Sequence, residues 1–175
     1  FRSVILMKKK IMMKQAKPED TGIIFEFIKD LAVYEKLLHE VTATEEQLRK
    51  TLFETEYAKV LIAEYDGETA GIALYFHTYS TFLGKPGIYL EDLFVKEQFR
   101  GNGIGKALLK KLACICLEND FGRLEWSVLD WNKPSIDFYE SLNAKSQDEW
   151  IKYRLDGKML EDGEIEGLPR AATHY

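Results

Sequence analysis

Nowhere in the 175 residues does an apolar run approach the about 20 positions that a membrane-spanning helix needs, so no membrane segment is expected. Cysteine is nearly absent. The two present, Cys114 and Cys116, stand two apart in a helix-compatible segment where their side chains diverge. A mutual disulfide is therefore not expected, and the chain reads as reduced and cytoplasmic. Histidine is limited to His39, His77 and His174, too scattered for a metal site, so no metal is expected. Positive charge is in deficit: 24 Lys and Arg against 29 Asp and Glu leave a net charge of −5. No basic stripe offers itself to nucleic acid, whereas a small cationic partner is electrostatically welcome.

What is present is the composition of one soluble globular domain, 46% hydrophobic and 30% charged, with enough chain for a sizeable core. Residues 87–106, GIYLEDLFVKEQFRGNGIGK, organise it. Ile88, Tyr89, Leu90, Leu93, Phe94 and Val95 suit a buried strand, interrupted by the carboxylates Glu91 and Asp92. A turn with three glycines follows (Gly101, Gly103, Gly105), and then a helix. Glycines let the backbone curl so that successive N–H groups point inward, and the helix N-terminus adds partial positive charge: together an anion cradle. The spacing separates the possible cradles. A Walker A loop would need glycine at Arg100 and Ser or Thr at Ala107, and a dinucleotide fingerprint would need glycine at Lys106. Both fail, leaving Arg100-x-x-Gly103-x-Gly105 directly after an apolar strand.

Residues 1–9 form an N-terminal extension without a signal-peptide pattern, and residues 10–16 a first strand. A helix runs from Pro18 to about Tyr34 with Ile23, Ile24, Phe27, Ile28 and Leu31 on its apolar face. Thr44-x-x-Gln47 is a capping box opening a second helix to about Phe53. Residues 59–65 and 69–79 are strands around an Asp66-Gly67 hairpin turn. After the helix of 104–119 come a strand over 123–129, a short helix opened by Asn132-Lys133-Pro134-Ser135, and a last strand over 150–155. Residues 157–175 read as an acidic, solvated tail. This order gives an α/β fold with a mixed, largely antiparallel sheet flanked by helices, one domain over residues 10–156.

The glycine turn resembles the pyrophosphate loop of the GNAT superfamily of N-acetyltransferases. Two further runs sharpen the match: Tyr89-Leu90-Glu91-Asp92-Leu93-Phe94-Val95, and Trp131-Asn132-x-Pro134-Ser135-x-x-Phe138-Tyr139. With Tyr34-Glu35 they resemble the diamine acetyltransferase family, whose members acetylate spermidine and spermine or thialysine. The resemblance covers roughly residues 11–156. It implies the GNAT fold, acetyl-coenzyme A as co-substrate, a small cationic amine as acceptor, and a homodimer.

It also implies roles. An alkylammonium must lose a proton before attack, since its ordinary pKa is near 10.4. Glu91 is the candidate base, acting through water. Neighbouring strand residues point to opposite faces, so Glu91 and Asp92 should not both face the substrate unless a bulge re-aims one; the resemblance implies a distorted strand here, which keeps Asp92 as a lesser candidate. Tyr139 holds the position of the proton donor to the departing thiolate, and Phe138 reads as core. Backbone groups of Leu93, Phe94 and Val95 are expected to pair with the pantetheine arm. The amides of Gly101, Asn102, Gly103, Ile104, Gly105 and Lys106 are expected to hold the pyrophosphate, with Arg100 supporting its charge. Asn132, Lys133, Pro134 and Ser135 would touch the cofactor farther along. Tyr34, Glu35, Glu91, Asp92, Glu125, Trp126 and Ser127 are expected on the substrate side.

The chain departs from the polyamine enzymes after Thr78-Tyr79: where they carry an acidic residue and a Trp, it reads Ser80-Thr81-Phe82. With one carboxylate fewer, a short diamine or thialysine-like acceptor competes with spermidine. A protein or peptide amine acetyltransferase and a non-catalytic acyl-coenzyme A sensor stand as alternatives.

Overall fold

Asp66 and Gly67 both take positive φ, 53° and 84°, and this turn closes the hairpin from which the sheet grows. In the computed structural model, which describes residues 10–161, the hairpin joins β2 (Lys59–Tyr65) to β3 (Glu68–Ser80). β1 (Ile11–Gln15) and β4 (Lys85–Val95) flank that pair, and β5 (Leu124–Trp126) adds to β4. The order is β1-β2-β3-β4-β5, antiparallel except for the parallel β4–β5 pair. The mixed α/β architecture anticipated from the sequence is therefore present. The chain divides into two units, residues 1–131 and 132–175, and the whole sheet lies in the first.

Alternation along the strands places one core. Val60, Ile62, Ile72 and Leu74 pack with Ile24 and Phe27 of α1 (Thr21–Tyr34) and with Leu52. Leu52 lies in a π-helical turn, Lys50–Glu54, that continues α2 (Glu45–Arg49). The intervening residues Leu61, Ala63 and Ala73 are buried as well. α3 (Ile104–Glu118), with Ile104, Leu108, Leu109 and Leu112 buried, touches every strand from β1 to β5. Burying an aliphatic side chain of this size stabilises by roughly 1.5–3 kcal/mol, which fixes the strand register against slippage. Thr44 caps α2 as its capping box predicts, its hydroxyl accepting from the Gln47 amide.

In the second unit α4 (Lys133–Ser141) is opened by Asn132, whose side chain accepts from the Ser135 amide, with Pro134 in the first turn. α5 (Lys158–Glu161) is a single short turn of helix within the region expected to be unstructured tail. Residues 1–9 and 162–175, the expected extension and the rest of the tail, lie outside the described residues.

Two strand expectations are corrected. β5 spans three residues rather than 123–129. Its parallel ladder with β4 stops at Leu90 and Trp126, immediately before an irregularity in β4. Residues 150–155 are not a strand: alternating apolar residues give a strand only where a ladder partner exists, and among the described residues this segment has none.

Candidate active site

The site begins with a register error in β4. Leu74 of β3 faces Asp92, but the next residue, Tyr75, faces Leu90. Glu91 is left over as the extra residue of a β-bulge. A bulge bends its strand and re-aims side chains, so the strict alternation that would separate Glu91 from Asp92 is suspended here. Glu91 is exposed and Asp92 half-buried.

A third carboxylate joins them from another element. Glu35 caps the C-terminus of α1. Burial, and next the charge of Glu91, raise the Glu35 carboxyl above its usual range. Burial first, then Glu91 and Glu35, push Asp92 up to about 6. Three carboxylates thus share one neighbourhood at the negative end of a helix, an arrangement that strains anions and favours a cation. Glu35 and Asp92 of the expected substrate residues are brought together with Glu91, the expected base. Asp92, expected only as a lesser candidate, has its proton affinity moved toward neutrality, to about 6.

Tyr34, beside Glu35, is packed at 6.3 Å from the Trp131 ring and lies under the Arg100 guanidinium at 5.4 Å. Lys36 places its ammonium 5.0 Å from the centre of the Trp131 ring. Neither Lys36 nor Trp131 was foreseen at the site. Lys36 follows the Tyr34-Glu35 pair in sequence, but nothing in residue type announces the backbone turn that aims it.

Past the bulge, β4 keeps β3 on one side, through Val95 paired with Gly71. On the other side no described strand pairs with Leu93, Phe94 or Val95. Apart from the Val95 carbonyl, which accepts from Arg100, that edge can receive an extended, amide-bearing chain as an added strand would. β4 then leads into the glycine turn. Gly101 and Gly103 have φ of 80° and 78°, the left-handed region that glycine enters without strain, and Gly103 is the N-cap of α3. Ala107 is the first amide to bond back, to the Gly103 carbonyl at 2.9 Å. The amides of Ile104, Gly105 and Lys106 before it have no intrahelical acceptor, leaving donors at the positive end of a helix for an anion. Asn102 is spoken for: its amide nitrogen donates to the Phe99 carbonyl at 2.8 Å and its oxygen accepts from the Tyr65 hydroxyl at 3.0 Å. Tyr65 is a loop-shaping residue that carries no sequence signal. Arg100 donates from Nε to the Val95 carbonyl at 3.1 Å, which ties the loop to the strand end while the guanidinium also covers the Phe94 ring.

The other expected contacts are placed less directly. Glu125 pairs with Arg123 at 3.0 Å, and the Ser127 hydroxyl shares a short hydrogen bond with Tyr89. Trp126 is half-buried on β5. Lys133 pairs with Asp137 at 2.6 Å, within α4. Tyr139 lies on α4 beside Phe138, ring centres 5.5 Å apart. Among the described residues no group of His, Cys, Asp and Glu is arranged to hold a metal ion.

A mixed sheet with an open strand edge, a helix start after it and carboxylates at the break frame the candidate site. The chain matches the acetyltransferase (GNAT) family over residues 25–144. It is 39% identical over 164 residues to a thialysine N-epsilon-acetyltransferase of Bos taurus, covering 87% of this chain and 96% of that one. It is 32% identical to an L-ornithine N5-acetyltransferase of Arabidopsis thaliana, covering 85% and 86%. Among solved structures, an integron cassette protein from the mobile metagenome of V. cholerae superposes with a TM-score of 0.73. The two are 27% identical over 87% of this chain and 96% of that one. This chain belongs to the GNAT family of acetyltransferases, enzymes that draw acetyl from acetyl-coenzyme A, and is an amine N-acetyltransferase.

Proposed function

We propose that the protein transfers acetyl from acetyl-coenzyme A to a primary amine of a small diamine, polyamine or thialysine-like acceptor, by direct attack. The observation that carries this reading is the convergence of Glu35, Glu91 and Asp92 at the end of α1, beside the unpaired edge of β4. The relatives' acceptors, thialysine and ornithine, are small amino acids with a terminal amine, which supports it.

The acceptor's ammonium is drawn to the three carboxylates. Glu91, through water, or Asp92 takes its proton. A group near pH 6 is ionised at neutrality yet accepts a proton with less driving-force penalty than an ordinary carboxylate. The freed nitrogen bonds to the acetyl carbonyl carbon and the carbon–sulfur bond breaks. The Tyr139 hydroxyl gives the proton that the departing sulfur takes up. Leu93, Phe94 and Val95 hold the pantetheine arm along their open edge. The amides of residues 101–106 hold the pyrophosphate, with Arg100 supporting its charge, and residues 132–135 reach the cofactor farther along. Tyr34, Glu125, Trp126 and Ser127 flank the acceptor. No metal is needed, because the carboxylates and the tyrosine supply both proton transfers.

On this reading residues 10–156 act as one acetyltransferase domain. The family match runs across both units, which supports it. The enzyme works as a cytoplasmic homodimer; the free thiols of Cys114 and Cys116 fit a reducing compartment, and the dimer rests on the family resemblance.

The test is product mass. Acetyl-coenzyme A is supplied with an equimolar pool of putrescine, spermidine, ornithine, thialysine and a lysine-containing peptide. Acetylated small amines are expected; acetylation confined to the peptide would replace this reading with a protein acetyltransferase.

A further inference from the structure

α1 ends in a Schellman motif. The Leu37 amide donates to the Ala32 carbonyl at 2.8 Å and the Lys36 amide to the Val33 carbonyl at 3.1 Å. The residue after the cap in this motif adopts the left-handed conformation, and glycine is its usual occupant because every side chain is strained there. Here that residue is Lys36, at φ 62°. A strained, non-glycine residue at the rim of a site is a position where the side chain itself is being kept.

The Lys36 side chain has a definite destination. Its ammonium sits over the Trp131 ring, which packs against Tyr34. It stands next in sequence to Glu35, yet among the described residues it makes no ion pair within 4.0 Å with any carboxylate. Glu35 likewise has no basic partner at that distance among them. Successive residues thus present one carboxylate and one ammonium, neither neutralised by the other, at the edge of an otherwise anionic neighbourhood.

That pair of charges is the complement of an α-amino-acid head, which carries an ammonium and a carboxylate on one carbon. We propose that Lys36 is a specificity-determining residue: it pairs with the α-carboxylate of the acceptor and repels a second ammonium placed there. This rests on the small-amine reading above and deepens it. The terminal amine is acetylated near Glu91 and Asp92. The α-ammonium lies against Glu35 and the α-carboxylate meets Lys36, whose stem is held by the Trp131 face. A polyamine would bring a cation to the same place and meet like charge. Ordinary diamines lose one attraction and gain one repulsion, so discrimination comes from both sides.

Ornithine and putrescine test this, since they differ only in the α-carboxylate. kcat/KM is measured for both acceptors with the wild type, Lys36→Met, which keeps the apolar stem on Trp131, and Lys36→Gly, which also relieves the strained backbone. The wild type is expected to favour ornithine. Both variants are expected to lower the ornithine-to-putrescine ratio at least about tenfold, ornithine losing through KM while putrescine gains. Lys36→Gly, which melts no lower than the wild type, excludes misfolding as the cause. A ratio unchanged in both variants, or a wild type that favours putrescine, overturns the role of Lys36 alone. A wild type that acetylates neither acceptor overturns the small-amine reading and the Lys36 role with it.

Discussion

Glu91 and Asp92 are neighbours in β4, but only Asp92 has a partner across the ladder: it faces Leu74, and the next pair, Tyr75 with Leu90, skips Glu91. One residue of slippage converts two carboxylates that a regular strand would send to opposite faces into a pair that share a neighbourhood with Glu35. The same irregularity is where β5 stops pairing, so it also opens the β4 edge at Leu93, Phe94 and Val95.

Where Asp92 is the group that takes the acceptor's proton, as proposed, the pH dependence of the reaction follows from it. A base must be unprotonated to act, so kcat/KM for the amine is expected to rise with pH through about 6 and then level off. Asp92→Asn removes that limb. Because a bound ammonium favours the ionised carboxylate, the limb in kcat moves to lower pH than the limb in kcat/KM. Steady-state rates between pH 5 and 8 check both statements.

Stability should move the other way. The Asp92 pKa is raised in the folded chain from 3.8 to about 6. Above about pH 6 the group is ionised in both folded and unfolded chains, and its unfavourable surroundings cost the fold on the order of 3 kcal/mol. As pH falls from about 6 toward 3.8 the folded chain binds a proton that the unfolded chain does not, and that cost is relieved. Asp92→Asn is therefore expected to melt at a higher temperature than the wild type at pH 8, with the difference gone near pH 4. A variant less stable than the wild type at pH 8 would contradict this.

The glycine turn makes a separate prediction. A Cβ at Gly103 meets nothing within 4 Å, so Gly103→Ala should act through its φ of 78° alone. The expected cost is about 1 kcal/mol of stability, with a raised KM for acetyl-coenzyme A as the N-terminal amides of α3 are displaced. Gly105, in the helix and with its nearest contact at 3.9 Å, should accept Ala without loss of stability. Thermal melts of the two variants separate a conformational requirement from mere composition.

The local backbone around the candidate site is legible in residue spacing. Gly101 and Gly103 after an apolar strand mark a turn into a helix, because glycine enters the left-handed φ that the turn takes before α3 begins. The hairpin at Asp66-Gly67 and the capping box at Thr44 are legible for the same reason: local chemistry decides them. What is not legible depends on partners distant in sequence. Residues 150–155 alternate like a strand but find no ladder, and 123–129 is cut to Leu124–Trp126 by an event in β4. The choice between Glu91 and Asp92 hangs on a bulge, and the placement of Lys36 on a left-handed helix end. Neither leaves a mark in residue type.

Tyr139→Phe tests the proposed acid. Loss of general-acid assistance is expected to lower kcat by about 10²-fold or more, while the affinity for acetyl-coenzyme A is kept. Burst and equilibrium binding measurements distinguish this from damage to α4; an unchanged kcat removes Tyr139 from the mechanism.

The most direct test of the account is amine-dependent thiol release from acetyl-coenzyme A by the wild type and by a triple variant, Glu35→Gln, Glu91→Gln and Asp92→Asn. The three carboxylates are held to attract and deprotonate the acceptor and not to hold the cofactor. Saturable, amine-dependent release by the wild type is therefore expected. In the variant a loss of about 10³-fold in kcat/KM for the amine is expected, with unaltered acetyl-coenzyme A binding. Turnover that survives the triple substitution would show that the amine is bound and activated elsewhere.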